Sequence, residues 1–132
     1  MRLSGTVIIL LCIVIQAGCN SIRQPAKGIE GTWQSLTQGD VSLQLRLKPD
    51  NRFQVTLNRT GQVHNNLGWY HVEGDRFIIR DSIDYPLPVC NLTDTGRYTF
   101  RLAGDTLRFT LVNDQCDRRA GALQQNTFVR RD

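Results

Sequence analysis

The sequence contains few of the residues that bind metal ions or activate nucleophiles. Its 132 residues include only two histidines, His64 and His71, and four cysteines. It contains no phosphate-binding Walker loop, no Gly-x-Gly-x-x-Gly and no His-Glu-x-x-His. Acid–base catalysis needs two carboxylates in one rigid cleft. The candidate acids lie nearly all at expected turns instead: Asp40, Asp50, Glu73, Asp75, Asp94 and Asp105. We therefore predict no catalytic residue, no metal site, no cofactor and no enzymatic activity.

Positive charge is in small excess and is not concentrated in one segment. Sixteen Lys and Arg stand against 12 Asp and Glu, which gives a net charge of +4. Arginines and lysines recur along the whole body of the chain, whereas a nucleic-acid-binding protein concentrates them on one face. We therefore predict no nucleic-acid partner. The length and the 40% hydrophobic content provide for one ordinary globular domain.

Only one long apolar run is present, and it lies near the N-terminus. Arg2 precedes the run over residues 7–15, which is followed by Ala17-Gly18-Cys19. A positive charge, a short apolar run and a small-residue exit are typical of a signal peptide, and the run is too short to span a bilayer comfortably. The ending resembles the lipobox of bacterial lipoproteins, whose cysteine is acylated and becomes the new N-terminus.

This resemblance implies a lipid anchor at Cys19 and a location in the bacterial cell envelope. We predict a signal peptide over 1–18, a lipidated N-terminus with a polar spacer over 19–29, and a folded domain over 30–132. By resemblance to enterobacterial sorting, Asn20 after the cysteine implies the outer membrane, facing the periplasm. The membrane is then a partner through the anchor. The alternative is ordinary cleavage and secretion, with Cys19 lost or left without a lipid.

Two cysteines, Cys90 and Cys116, remain in the predicted domain. An even number of cysteines in an exported chain favours a disulfide. Such a bond would close a loop of a few tens of residues and contribute about 3–4 kcal/mol by chain entropy. The alternative is a metal site, which would need further ligands from the two histidines.

Alternation of apolar and polar residues predicts an all-β domain. On both sides of Gly104, over 98–102 and 107–111, apolar residues alternate with polar ones, which indicates a β-hairpin with one dry face. Similar segments joined by short turns recur from Gly31 to Arg130, so neighbouring strands must be antiparallel. We predict about eight strands that close into an up-and-down, lipocalin-like barrel, because closure removes bare sheet edges.

The predicted barrel interior is rich in aromatic side chains. A polar loop is expected over 60–66 and a longer loop over 81–95, and only 120–125 has the character of a helical turn, so no clear C-terminal helix is expected. An eight-stranded barrel has room for packed side chains or one small ligand. The inward aromatic residues would fill much of it and leave a shallow site at one open end: Phe53, Tyr70, Phe77, Tyr98, Phe100, Phe109 and Phe128.

Gly31-Thr32-Trp33, which opens the first strand, resembles the Gly-x-Trp signature of the lipocalin and calycin barrels. In those families the tryptophan closes one barrel end beneath an arginine from a late strand. The resemblance implies that role for Trp33, with Arg119 and Arg130 as candidate covers. Further motifs, spread over residues 31–130, are similar to those of small bacterial lipocalin-like lipoprotein domains: Gly68-Trp69-Tyr70, Cys90, Gly96-Arg97-Tyr98 and Asp114-Gln115-Cys116-Asp117-Arg118-Arg119. Asp114 is expected to form a salt bridge with Arg118 or Arg119.

Several outer and loop residues are candidates for contact with a ligand or partner. Trp69 and His71 point away from Tyr70, so they either form a contact surface or pack against the spacer and neighbouring side chains. Tyr85 lies in a Pro-containing loop that is either a lid or a stiff connector. The full candidate set is Trp69, Tyr70, His71, Tyr85 and Phe100. Four outward arginines either meet anionic lipid or cell-wall polymer or are simply solvated: Arg46, Arg97, Arg101 and Arg108.

Two functional hypotheses follow from these features. In the first, a lipid-anchored lipocalin-like protein binds a small apolar or amphipathic ligand at the open end of its barrel. In the second, the barrel is solid, and the protein is a non-enzymatic interaction or inhibitor module that contacts another envelope protein. The volume of the barrel interior discriminates between them.

Overall fold

The computed structural model describes residues 28–36, 39–82 and 90–132. The predicted signal peptide, Cys19 with most of the spacer, and Tyr85 lie outside the described residues. Eight strands and one helix follow along the chain: β1 (Gly31–Ser35), β2 (Val41–Leu47), β3 (Arg52–Arg59), β4 (Gln62–Glu73), β5 (Arg76–Asp81), β6 (Gly96–Ala103), β7 (Thr106–Asn113), α1 (Asp117–Gln124) and β8 (Thr127–Arg130).

The strands form one closed barrel in sequence order, and every neighbouring pair is antiparallel. The sheet closes because β8 pairs with β1, where Trp33 lies opposite Arg130. The predicted up-and-down barrel of about eight strands is therefore confirmed. No helix within the described ranges has the length and apolar character needed to cross a membrane.

Two predictions of local structure were wrong. The expected loop over 60–66 is only a two-residue turn at Thr60 and Gly61, whose φ angles of 49° and 81° are those of a tight hairpin. β4 begins directly afterwards at Gln62. Its first three residues are all exposed, whether polar or apolar, so no buried apolar face marks the start of the strand. The expected helical turn at 120–125 is a helix that begins earlier, at Asp117. Its buried residues include a charged one, Arg119, which hides the apolar period.

The odd-numbered strands all run in one direction along the barrel, and the even-numbered strands return. One end of the barrel therefore holds the start of β1, the end of β8 and three of the turns between strands; we call it the Trp33 end. The other holds the ends of β5 and β7, the start of β6, and α1; we call it the Arg119 end.

Inward-facing side chains fill the space between the two ends. The largest side chains with under 2% exposure come from seven of the eight strands, all except β4: Trp33, Tyr98, Phe53, Phe77, Phe128, Leu45, Leu47, Ile79 and Leu107. At about 1.5–3 kcal/mol for each buried apolar side chain, this cluster supplies the main driving force for folding.

Candidate functional site

The barrel interior is occupied by an aromatic cluster. The ring of Phe109 lies 4.8 Å from that of Phe77, 6.3 Å from Tyr98 and 6.0 Å from Phe128, measured between centroids. Tyr70 stacks on Phe77 at 5.7 Å. These separations are those of rings in contact, so the middle of the barrel is packed protein.

Two of the predicted contact residues belong to this core. Tyr70 is buried, and its hydroxyl donates a hydrogen bond of 2.6 Å to the carbonyl oxygen of Lys48. Burial, together with the nearby Glu30 and Asp50 carboxylates, raises the pKa of Tyr70 to about 12. Phe100 is partly buried and packs against the core. Neither side chain is displayed as an exposed contact residue.

The Trp33 end is closed by a stacked arginine. The guanidinium of Arg130 lies 4.2 Å from the centroid of the Trp33 ring, while the indole N–H donates to the carbonyl of Ile29 at 2.8 Å. Arg130 donates to the carbonyls of Glu30 at 2.6 Å and Gly28 at 2.8 Å. A side chain at Gly31 would place its Cβ 2.7 Å from Arg130 Nη1, which explains the glycine of the Gly-x-Trp signature.

Arg119, the second arginine expected over Trp33, lies at the opposite end of the barrel, and that prediction was wrong for this residue. α1 carries Arg119 inward, where its Nε and Nη2 donate to the two carboxylate oxygens of Asp114 at 2.7 and 2.8 Å. Nη1 donates to Asp81 at 3.0 Å, and Nη2 also reaches the carbonyl of Asp94 at 3.1 Å. Of the two expected partners of Asp114, the structure selects Arg119.

This cluster is buried and internally paired. The Arg119 side chain is 5% exposed, and those of Asp81 and Asp114 are fully buried. Asn66 donates to Asp81 at 2.9 Å, and the Tyr98 hydroxyl donates to Asp114. Among the described residues the one buried side-chain polar atom without a hydrogen bond is Arg130 Nε, at the other end. Every buried polar side-chain atom of this cluster, which we call the Arg119 cluster (Arg119, Asp81, Asp114, Asn66 and Tyr98), therefore has a hydrogen-bond partner. Complete pairing of this kind is typical of a group with a structural role.

The interactions within the cluster keep Asp114 and Arg119 ionised and Tyr98 neutral. Burial alone would raise the pKa of Asp114, but hydrogen bonds from Arg119 and Tyr98 outweigh it and hold that pKa below its usual range. Burial would lower the pKa of Arg119, but the two carboxylates raise it. Burial and the hydrogen bond to Asp114 raise the pKa of Tyr98. The carboxylate and guanidinium stay charged and the phenol stays neutral near pH 7.

A disulfide and a close-packed glycine hold the cluster together. Cys90 and Cys116 are bonded, with Cα atoms 5.5 Å apart, which confirms the predicted disulfide. The backbone N–H of Cys116 donates to Asp114 at 2.9 Å. A Cβ at Gly96 would collide with the carboxylate of Asp114 and the ring of Tyr98. The glycine in Gly96-Arg97-Tyr98 thus leaves room for Asp114.

The outer wall presents Trp69 and His71. Trp69 is 45% exposed, and the guanidinium of Arg52 lies 4.1 Å from the centroid of its ring. Arg80 lies directly across on β5. His71 is exposed, and its Nε2 is 3.2 Å from a carboxylate oxygen of Glu73. Unlike the core residues Tyr70 and Phe100, these two can meet a partner without rearrangement.

A groove of about 370 Å³ lies outside the barrel, at the Trp33 end. Of the eight described residues that line it, four are charged, two of each sign: Glu30, Gly31, Thr32, Arg46, Leu47, Lys48, Pro49 and Asp132. None of these eight is aromatic, whereas small-molecule sites are lined predominantly by hydrophobic and aromatic side chains. No group of three or more His, Cys, Asp or Glu within residues 28–36, 39–82 and 90–132 is arranged to hold a metal ion.

Sequence reasoning missed two members of the Arg119 cluster, Asp81 and Asn66. Asp81 follows Phe77 and Ile79 at the same inward parity, so alternation carried a signal for it. Asn66 lies in the segment whose polarity predicts a loop, and only the register of β4 brings it to Asp81. The outward arginines of β5, Arg76 and Arg80, were also not singled out as a surface.

Comparison with known proteins adds no family to this description. No protein-family model matches the chain, and neither a curated protein nor a solved structure matches it significantly. The structure supports a closed eight-stranded antiparallel barrel, which is compatible with a lipocalin-like fold.

Proposed function

We propose that this protein is a lipocalin-like module of the bacterial cell envelope that binds another envelope protein through the outside of its barrel. The observation that carries this proposal is the packed aromatic cluster around Phe109, which occupies the volume that a small-ligand carrier keeps open. It favours the interaction hypothesis over the ligand-binding one. The envelope location, with a lipid on Cys19, rests on the lipobox resemblance of the N-terminus.

Trp69 is the proposed anchor for the partner. Tryptophan and arginine are the residues most enriched among those that dominate binding energy at interfaces. Trp69 is flanked by Arg52, stacked on its ring, and by Arg80 on the next strand. Because the ring is already held in place, binding costs little further loss of side-chain freedom. The exposed His71, two residues along the strand, enlarges the same surface.

The test is crosslinking in intact cells, with a photoreactive residue in place of His71. A single protein should be captured, and Trp69→Ala should abolish the capture, since loss of such an anchor weakens binding about 30-fold or more. The free energy of unfolding should change by no more than about 1 kcal/mol, the usual worth of an exposed cation–π contact.

Val63→Ala is the matched control, because Val63 lies on the same strand and is 55% exposed. It should leave the crosslink intact. A large loss of stability in Trp69→Ala would make Trp69 a structural residue, and a crosslink that survives this change would refute its role as anchor. Native mass spectrometry of the purified protein should show the mass of the chain without a bound small molecule.

A further inference from the structure

Five arginines form a continuous outward row on β5, β6 and β7, which we call the arginine band: Arg76, Arg80, Arg97, Arg101 and Arg108. All five are exposed. Arg101 lies directly opposite Arg108, while Arg76 faces Thr99 and Arg97 faces Ile78. Arg76 is therefore a diagonal neighbour of both Arg97 and Arg101, and Arg80 of Arg97. Such neighbours are about 7–8 Å apart.

The band has no compensating negative charge on its own surface. The eight strands carry two carboxylates, Glu73 and Asp81, and Asp81 is buried inside the barrel. Glu73 lies beside His71. Asp75 and Asp105 lie in turns at the Trp33 end, and among the described residues no ion pair joins either one to the band.

The fold does not require this arrangement. Like charges placed directly opposite each other, as in Arg101 and Arg108, destabilise a sheet. The opposite wall, formed by β1, β2 and β8, presents one outward arginine, Arg46, among neutral residues. Outward-facing strand arginines are thus concentrated on β5, β6 and β7, although the sequence suggested an even spread, and this concentration indicates an anionic partner.

The composition of the band favours lipid headgroups over a protein surface. Protein interfaces have apolar centres depleted of charge. The centre of the band consists instead of arginines separated by Thr99, Thr110 and the half-buried Ile78. Anionic headgroups stay hydrated and rearrange to meet each guanidinium, which binds phosphate with two parallel hydrogen bonds. Trp69, opposite Arg80 at the margin, is of the residue type enriched at membrane interfaces.

We infer that the arginine band docks the barrel onto a bilayer that contains anionic phospholipids, by binding their phosphate groups. The predicted spacer is long enough for the band to reach the bilayer, because residues 20–28 can extend up to about 30 Å from a lipid on Cys19. This inference does not depend on a protein partner. An N-terminal anchor would hold the protein near any bilayer, whereas the band distinguishes anionic from neutral lipid.

The test uses the full chain reconstituted in two kinds of vesicle, phosphatidylcholine alone and phosphatidylcholine with phosphatidylglycerol. Trp69 is the reporter, because the other tryptophan, Trp33, is fully buried. A soluble quencher should reach Trp69 on neutral vesicles and be shielded from it on anionic ones. Shielding should weaken as salt is added, because salt screens exposed charges.

The decisive variant changes Arg76, Arg97 and Arg101 to Gln. It should shift the equilibrium between docked and undocked barrel about 100-fold toward undocked on anionic vesicles. The matched control changes three exposed arginines away from the band to Gln, so that the net charge falls equally: Arg46, Arg59 and Arg118. The control should stay docked.

Any one of four results would overturn the inference. The first is equal shielding of Trp69 on neutral and anionic vesicles. The second is a band variant that stays docked, and the third is a control variant that loses docking as fully as the band variant does. Soluble polyglutamate that displaces the protein from anionic vesicles at low concentration would assign the band to an acidic protein instead. Shielding that needs both anionic lipid and the three band arginines would establish it.

Discussion

The two ends of the barrel are each closed by one buried arginine and one tyrosine, but their hydrogen-bond acceptors differ. At the Trp33 end, Arg130 donates to the carbonyls of Gly28 and Glu30, and Tyr70 donates to that of Lys48. At the Arg119 end, the corresponding arginine and tyrosine both donate to the carboxylate of Asp114.

This difference separates two ways of burying a guanidinium. Arg130 donates to backbone carbonyls and stacks on the face of Trp33, and the carboxylate of the exposed Asp105 is 3.7 Å from its Nε. Arg119 is balanced by two formal charges that are themselves buried. A buried charge left without its partner is far more costly than a backbone carbonyl that can turn to water. The Arg119 end is therefore the more sensitive to substitution.

The largest effect is expected from Arg119→Met. This change leaves Asp81 and Asp114 buried without their counterion, and we expect the free energy of unfolding to fall by about 3–5 kcal/mol. Arg130→Met keeps an apolar cover over Trp33 and should cost only about 1–2 kcal/mol. Urea denaturation of both variants at pH 7 measures the difference.

Arg119→Lys is the control that separates the loss of positive charge from the loss of the guanidinium's hydrogen bonds and packing. It keeps a cation beside the two carboxylates and should recover part of the lost stability, although lysine cannot bind Asp114 with two parallel hydrogen bonds. Equal losses in Arg119→Met and Arg130→Met would show that the two ends are energetically alike, contrary to the difference in their acceptors.

The next effect concerns the covalent link, which only the Arg119 end has among the described residues. Replacing Cys90 and Cys116 together by Ala opens a loop whose ends are 26 residues apart and should cost about 3–4 kcal/mol. The native protein in reductant should reproduce the loss in urea denaturation. A double variant as stable as the native chain would show that Arg119 holds this end without the disulfide.

Alternation along the sequence predicted most of the barrel, and the Gly-x-Trp resemblance implied that Trp33 closes one end. Trp33, its strand and its covering residue Arg130 all lie in segments whose period of two is clear. The Gly-x-Trp resemblance added the expectation of an arginine cover but left two candidates. The choice between Arg119 and Arg130 depends on which strand closes the barrel, and that is decided by the pairing of β8 with β1.

The Arg119 end was less predictable because its contacts are long-range and polar. Arg119 and Asp81 are 38 residues apart, and no local pattern links them. The helix that carries Arg119 buries only two apolar residues, Ala120 and Leu123, and the preceding disulfide and the ion pairs of Arg119 also hold it in place. Tertiary contacts overrode local propensity here, as they commonly do in short helices.

The smallest expected effect is a difference in acid sensitivity between the two ends. The folded state lowers the pKa of Asp114 below its ordinary value of 3.8. A lowered pKa contributes stability that is present above the ordinary pKa and is lost as pH falls through the folded value. The Arg119 end should therefore weaken below about pH 4, whereas the backbone acceptors of Arg130 and Tyr70 do not titrate.

Asp114→Asn isolates this contribution, because other carboxylates also add to acid unfolding. Urea midpoints measured at neutral pH and at successively lower pH should fall more steeply for the native protein than for Asp114→Asn. The Arg130→Met variant should fall in parallel with the native protein, since the acceptors of the Arg130 hydrogen bonds are backbone carbonyls that do not titrate. If Asp114→Asn is as acid-sensitive as the native chain, the carboxylate does not couple the Arg119 end to pH. If the urea midpoint of Arg130→Met falls less with acid than that of the native chain, an ion pair between Arg130 and Asp105 contributes more stability than the 3.7 Å between Arg130 Nε and Asp105 Oδ1 suggests.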